Sequence, residues 1–175
     1  IVYNPGVTYD GTLETARGLK DDRMVFTEEH PGHVFSAVQG LAAAARVLKE
    51  YDPKLSARSL RAAEGLWQTP GTVGSRDVND QICAAAELLI TTQNIVYQDF
   101  LLAMTDSIAS RISAVGWVVV RTIPLIDNEN YRSAIQQALA GLSKDINERE
   151  KETPFGVPYR PYIWGAGWNI QEFGV

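Results

Sequence analysis

The chain has 175 residues, 45% of them hydrophobic, with 16 Lys and Arg against 21 Asp and Glu and a formal charge of −5. That length suits a single domain with a real core, and the acidic balance offers no overall attraction for nucleic acid or an anionic membrane. Its most apolar run, "AVGWVVVRTIPLI", is shorter than the roughly 18 residues a bilayer span needs and is broken by Arg121 and Pro124, while the single cysteine, Cys83, excludes an internal disulfide framework and a Cys-rich zinc site.

Residues 1–32 are rich in Gly, Pro, Asp and Thr without periodicity and read as an irregular N-terminal segment or linker. The domain is expected over 33–175. From His33, "HVFSAVQGLAAAARVLKEY" sets Val34, Val38, Leu41, Ala45 and Leu48 three and four residues apart, the pattern of a helix with one buried face. Pro53 then opens a second helix, "PKLSARSLRAAEGLWQ", with Asp52 as its N-cap.

After the loop "TPGTVGSRDVN" the plan repeats, first as "DQICAAAELLITT" followed by "YQDFLLAMTDSI", then as "AVGWVVVRTIPLI" followed by "YRSAIQQALAGLSKDINEREKE". Tyr97, Phe100, Leu101, Met104 and Ile108 form one helical stripe, and Tyr131, Ile135, Leu139, Leu142 and Ile146 form another. Three segments starting at Ala43, Ala84 and Val118 share a layout: small or branched apolar residues, a polar joint, then an amphipathic helix. The fold class is therefore all-α, built of helical hairpins. Alanine in the first helix of two units lets axes approach closely, as an inner helix packed on both sides requires, and the second helices suit an outer layer. Either an open solenoid or a closed toroid satisfies this pattern.

Few residues in the helical part suggest chemistry. "EEHPGH" places Glu28, Glu29, His30 and His33 close together, but Pro31 and Gly32 interrupt the helix that would aim the two histidines at one metal. A helix-entry loop is the better account, and no metal or cofactor is expected. Asp77 and Asp80 in "SRDVNDQ" read as helix caps rather than an acid–base pair. Cys83 reads as core, and Trp67 and Trp117, both within helical patterns, as packing.

The tail "PFGVPYRPYIWGAGWNIQEFGV" is different, with Phe155, Tyr159, Tyr162, Trp164, Trp168 and Phe173 within 19 residues. Pro154, Pro158 and Pro161 exclude a continuous helix, so the rings are set on a long loop leading into a helix near Gly165. Rings on a loop suit carbohydrate, because a pyranose has an apolar C–H face that stacks on an aromatic ring and polar edges that accept from donors such as Arg160 or Asn169. The same rings could instead plug the end of the helical core.

That tail, preceded by "AAAELLITTQNIVYQDF" and "GLAAAARVLKEYDPKLSARSLRAAEGLW", resembles the middle of a glycoside hydrolase family 9 catalytic domain. The family is cellulase-type, and the likeness is to members carrying an N-terminal immunoglobulin-like module. It covers most of residues 33–175. The resemblance implies an (α/α)6 toroid of six hairpins, of which about three are here. It also implies inverting hydrolysis of β-1,4-glucosidic bonds, in which an aspartate activates water and a distant glutamic acid protonates the leaving oxygen. The aspartate belongs to an Asp-x-x-Asp loop near the domain's start and the glutamate to its end. "DVND" follows the second helix instead, so neither role transfers and no catalytic residue is assigned.

The tail matches the family's Trp-Gly loop at the substrate cleft, which implies sugar contacts by Tyr159, Arg160, Trp164 and Trp168. The partner implied is a β-glucan or oligosaccharide, and the full-length protein is expected to be secreted or periplasmic. A chain that opens at Ile1 and stops at Val175 without either catalytic motif is expected to be a piece of a longer protein, inactive alone. Its uncovered helix faces would favour self-association. Two other readings fit the hairpins: a helical-repeat binding module, and another (α/α)6 carbohydrate-active enzyme.

Overall fold

The computed structural model describes residues 31–68 and 77–152, which fall in one compact unit. Every regular element among them is helical: α1 (Pro31–Leu48), α2 (Pro53–Trp67), α3 (Val78–Thr92), α4 (Ile95–Ala103), α5 (Thr105–Ser110), α6 (Ile112–Val119), a 3-10 segment (Val120–Leu125) and α7 (Glu129–Glu150). No described helix is long and apolar enough to cross a membrane. The tail residues Tyr159, Arg160, Trp164 and Trp168 lie outside the described residues, as do Glu28, Glu29 and His30.

The first hairpin forms as its residues dictate. Pro31 and Gly32 do not interrupt α1; they make its first turn, where the missing proline N–H costs no hydrogen bond. Asp52 caps α2 by accepting from the Leu55 N–H at 3.0 Å, and Pro53 follows at the first helical position. Two contacts fix the direction of α2. Near the joint Ser56 Oγ donates to the Ala45 carbonyl at 2.7 Å, and at the far end Trp67 meets Phe35, with ring centroids 5.7 Å apart. The helices are therefore antiparallel.

Between α3 and α4 the joint is only two residues. Gln93 takes a left-handed conformation, φ 55°, and its N–H reaches the Leu89 carbonyl at 2.8 Å, ending α3. Asn94 then caps α4 through Val96 N–H at 3.1 Å. The single helix expected over 97–108 is in fact α4 and α5, divided at Met104, whose φ −97° and ψ 9° lie outside the helical well. Thr105 Oγ1 donates back to the Leu102 carbonyl at 2.7 Å, a local bond that competes with helical continuation.

In the third unit α6 gives way to a 3-10 segment holding Pro124, whose ring an α-helix would not admit without a kink. Asn128 caps α7 by accepting from Tyr131 N–H at 3.0 Å. Thr122 Oγ1 commits its hydrogen to the Val119 carbonyl at 2.7 Å, so the buried Tyr131 phenol donates to Thr122 at 2.8 Å. Burial raises the Tyr131 pKa. Position 116 on α6 faces Leu139 of α7 while Thr122 meets Tyr131, so these two helices also run antiparallel.

The hairpins assemble through α3. Its residues Ile82 to Leu89 are all buried, which only a helix covered on every side achieves; α1, α4, α6 and the 3-10 segment pack around it. The contrast is α2, where only Ser59 and Ala63 are buried. Ala84, Ala85 and Ala86 have no side chain beyond Cβ to hold neighbouring axes apart. One core of Phe35, Val38, Ile82, Leu88, Leu89, Tyr97, Leu101, Ile108, Val115, Val118, Val119, Tyr131 and Ile135 runs through all three units.

Candidate functional site

The polar chemistry of the described residues is concentrated in the seam between α1 and α3. Asp80, Ala84, Glu87 and Thr91 are spaced by four, three and four residues, one face of α3. Ser36 Oγ donates to Asp80 Oδ1 at 3.2 Å and Gln39 Nε2 to the Asp80 carbonyl at 3.3 Å. Three turns on, Thr91 Oγ1 donates to the Ala42 carbonyl at 3.1 Å and accepts from Arg46 Nη1 at 2.7 Å. The early residues of α1 thus meet the start of α3 and the late ones its end, so these helices are parallel.

Glu87 is the one buried ionisable side chain with cations on both flanks among the described residues. Its carboxylate is 5% exposed; Arg46 Nη2 lies 2.8 Å from Oε2 and Arg121 Nη1 2.8 Å from Oε1. Arg121 makes a hydrogen bond, whereas the Arg46 contact is an ion pair without hydrogen-bond geometry. The two guanidinium groups retain 31% and 43% of their side-chain exposure. Glu87 therefore ties α1, α3 and the 3-10 segment together from a dry position, with both counter-charges reaching solvent.

At the other end of the seam, Asp77 holds the N-cap position of α3 but makes no capping bond to it. It reaches the first turn of α1 instead. A Cβ at Gly32 would fall 2.7 Å from Asp77 Oδ1 and 3.2 Å from Asp80 Oδ2, so only glycine admits the two carboxylates this close. The capping expected of Asp80 is likewise replaced by its bond from Ser36. Both carboxylates lie by helix N-termini, where backbone dipoles favour negative charge. No grouping of His, Cys, Asp and Glu among the described residues could hold a metal.

Cys83 is core, as expected. Burial, then the charges of Asp80 and Glu87, push its thiol from 9.0 up to about 12, so no thiolate exists at neutral pH to act as a nucleophile. Between pH 9 and about 12 the unfolded chain has lost this proton while the folded chain keeps it. The stability it contributes is thus whole below pH 9 and drains away as pH rises. Cys83→Ala is expected to flatten that alkaline limb by up to about 1.4 kcal/mol per pH unit, measured by urea unfolding at intervals of pH. An unchanged slope would refute the burial argument.

The two tryptophans expected to pack do not behave alike. Trp67 does pack, against rings of α1 and α4. Trp117 is 52% exposed on α6, so its expected packing role is corrected: the apolar stripe of this helix is complete with Ile112, Val115, Val118 and Val119. Sequence reasoning also passed over Glu87 and its two arginines. Their signal was a lone acidic residue within the apolar run "ICAAAELLI", which only a buried countercharge makes tolerable. Comparison with protein-family models, with curated proteins and with solved structures finds no match for the chain.

Proposed function

We propose that this chain is part of an (α/α)6 toroidal glycoside hydrolase of family 9 type, which in complete form cleaves β-1,4-glucan or related oligosaccharides with inversion outside the cytoplasm. The observation that supports it is the layering of the hairpins. Parallel α1 and α3 lie side by side, α6 packs on α3, and α2, α4 and α7 follow these helices in turn. Continued around an axis, such units make a ring whose inner helices line a central cleft. The resemblance of the tail adds the ligand, with Tyr159, Arg160, Trp164 and Trp168 as the sugar contacts.

Affinity electrophoresis through a soluble β-1,4-glucan tests this reading. The 175-residue chain is expected to be retarded, and Trp164→Ala with Trp168→Ala to migrate freely. Migration unaffected by the glucan would overturn the carbohydrate reading and favour a helical-repeat binding module. No reducing sugar is expected from the chain alone, since the carboxylate pair of the mechanism is assigned to other segments. The exposed Val47, Tyr51, Leu55, Ile95 and Val96 also favour self-association; a strictly monomeric mass in light scattering at millimolar concentration would contradict that.

A further inference from the structure

Arg121 is held by one side of its guanidinium. Nη1 donates to the buried Glu87 carboxylate at 2.8 Å, and among the described residues Nε and Nη2 have no partner. Those two nitrogens form the side-on fork of arginine, two parallel donors spaced for a carboxylate. Anchoring through Nη1 restrains the plane of the group, and the side chain as a whole keeps 43% of its exposure. One helical turn earlier stands Trp117, half exposed, outside the core cluster and in no ring pair among the described residues. Trp117 on α6 and Arg121 on the 3-10 segment that continues it are four residues apart, and both stand among the exposed positions of this stretch.

Arg46 adds to the charge without competing for the ligand. Its Nη1 is engaged by Thr91 and its Nη2 by Glu87. Two cations against one carboxylate leave a local excess of one positive charge on a chain whose formal net charge is −5. Such a place selects an anion from its surroundings.

We propose that Trp117 and Arg121 form a subsite for a carboxylate-bearing pyranose, a uronate residue of an acidic oligosaccharide. The indole stacks on the apolar face of the ring and the Nε/Nη2 fork receives the carboxylate in bidentate fashion. Glu87 is a positioning residue that orients Arg121 and does not touch the ligand. The sugar class rests on the carbohydrate reading above; the acidic character rests on Arg121 alone.

Calorimetric titration of the 175-residue chain with trigalacturonate and with cellotriose tests the proposal. The uronate trimer is expected to bind at least ten-fold more tightly. Arg121→Lys, which keeps the charge and loses the fork, should bring the two ligands level, and Trp117→Ala should abolish uronate binding without lowering the melting temperature. The Trp164→Ala, Trp168→Ala variant should bind the uronate as the parent does, which separates this subsite from the tail. Equal affinity for the two trimers, undiminished binding by Arg121→Lys, loss of binding in the tail variant, or displacement of the trimer by equimolar inorganic phosphate would each overturn it.

Discussion

Alanine at both Arg46 and Arg121 is expected to destabilise the protein by about 3–5 kcal/mol, more than alanine at Glu87, for which about 2–3 kcal/mol is expected. The asymmetry follows from burial. Glu87 is 5% exposed and sits on a helix enclosed on every side, so without its cations the carboxylate remains in a dry site with no countercharge. The arginines keep roughly a third or more of their exposure and can turn outward when the carboxylate is removed. What Glu87→Ala then loses is mainly packing and the link between three elements. Urea unfolding followed by circular dichroism measures both variants, and a smaller loss for the double arginine variant than for Glu87→Ala would sink the argument. Either single arginine variant should fall between parent and double, because one ion pair still compensates the charge.

Trp67→Ala is expected to cost about 3 kcal/mol, whereas Trp117→Ala should change stability by less than about 0.5 kcal/mol. Trp67 ends α2 and touches Phe35 of α1 at 5.7 Å, Tyr97 of α4 at 5.6 Å and Phe100 of α4 at 5.2 Å, the last two edge to face. These are the favoured ring geometries, each adding to the area buried. Truncation opens a void shared by three helices that an outer helix with only two buried residues cannot close from its own side. Trp67→Phe should retain part of the cluster and cost about 1 kcal/mol. Thermal unfolding of the two alanine variants side by side checks the pair; equal losses would mean that the exposure of Trp117 is not maintained in solution.

The contrast between these tryptophans shows where periodicity stops being informative. Both lie within helical patterns, and a pattern reports that a face is apolar without reporting whether a neighbour exists to cover it. Trp67 is covered because Phe35 and α4 converge on the end of α2; Trp117 is left out because valine and isoleucine already fill the packed face of α6. Met104 gives the same lesson along the chain axis. The stripe from Tyr97 to Ile108 continues across it, but the Thr105 hydroxyl captures a carbonyl and the helix breaks while the apolar positions stay on the core.

Local patterning was enough for the all-helical class, the Asp52 cap and the burial of Cys83, because spacing, proline position and cap chemistry are local properties that neighbours rarely override. It also pointed through the alanines to close helix packing, which α3 shows along its length and α1 along one face. The polar seam exists only in the folded arrangement. Asp77 and Asp80 have the spelling of caps, yet they serve α1, because a glycine at position 32 lets that helix come within reach. Glu87 became a buried tie, and Arg121 a half-anchored fork, only when residues 41 and 34 positions away in the chain arrived beside one carboxylate. An electrostatic partnership of that kind depends on distance in space and on the exclusion of water, and neither is written in the order of the residues.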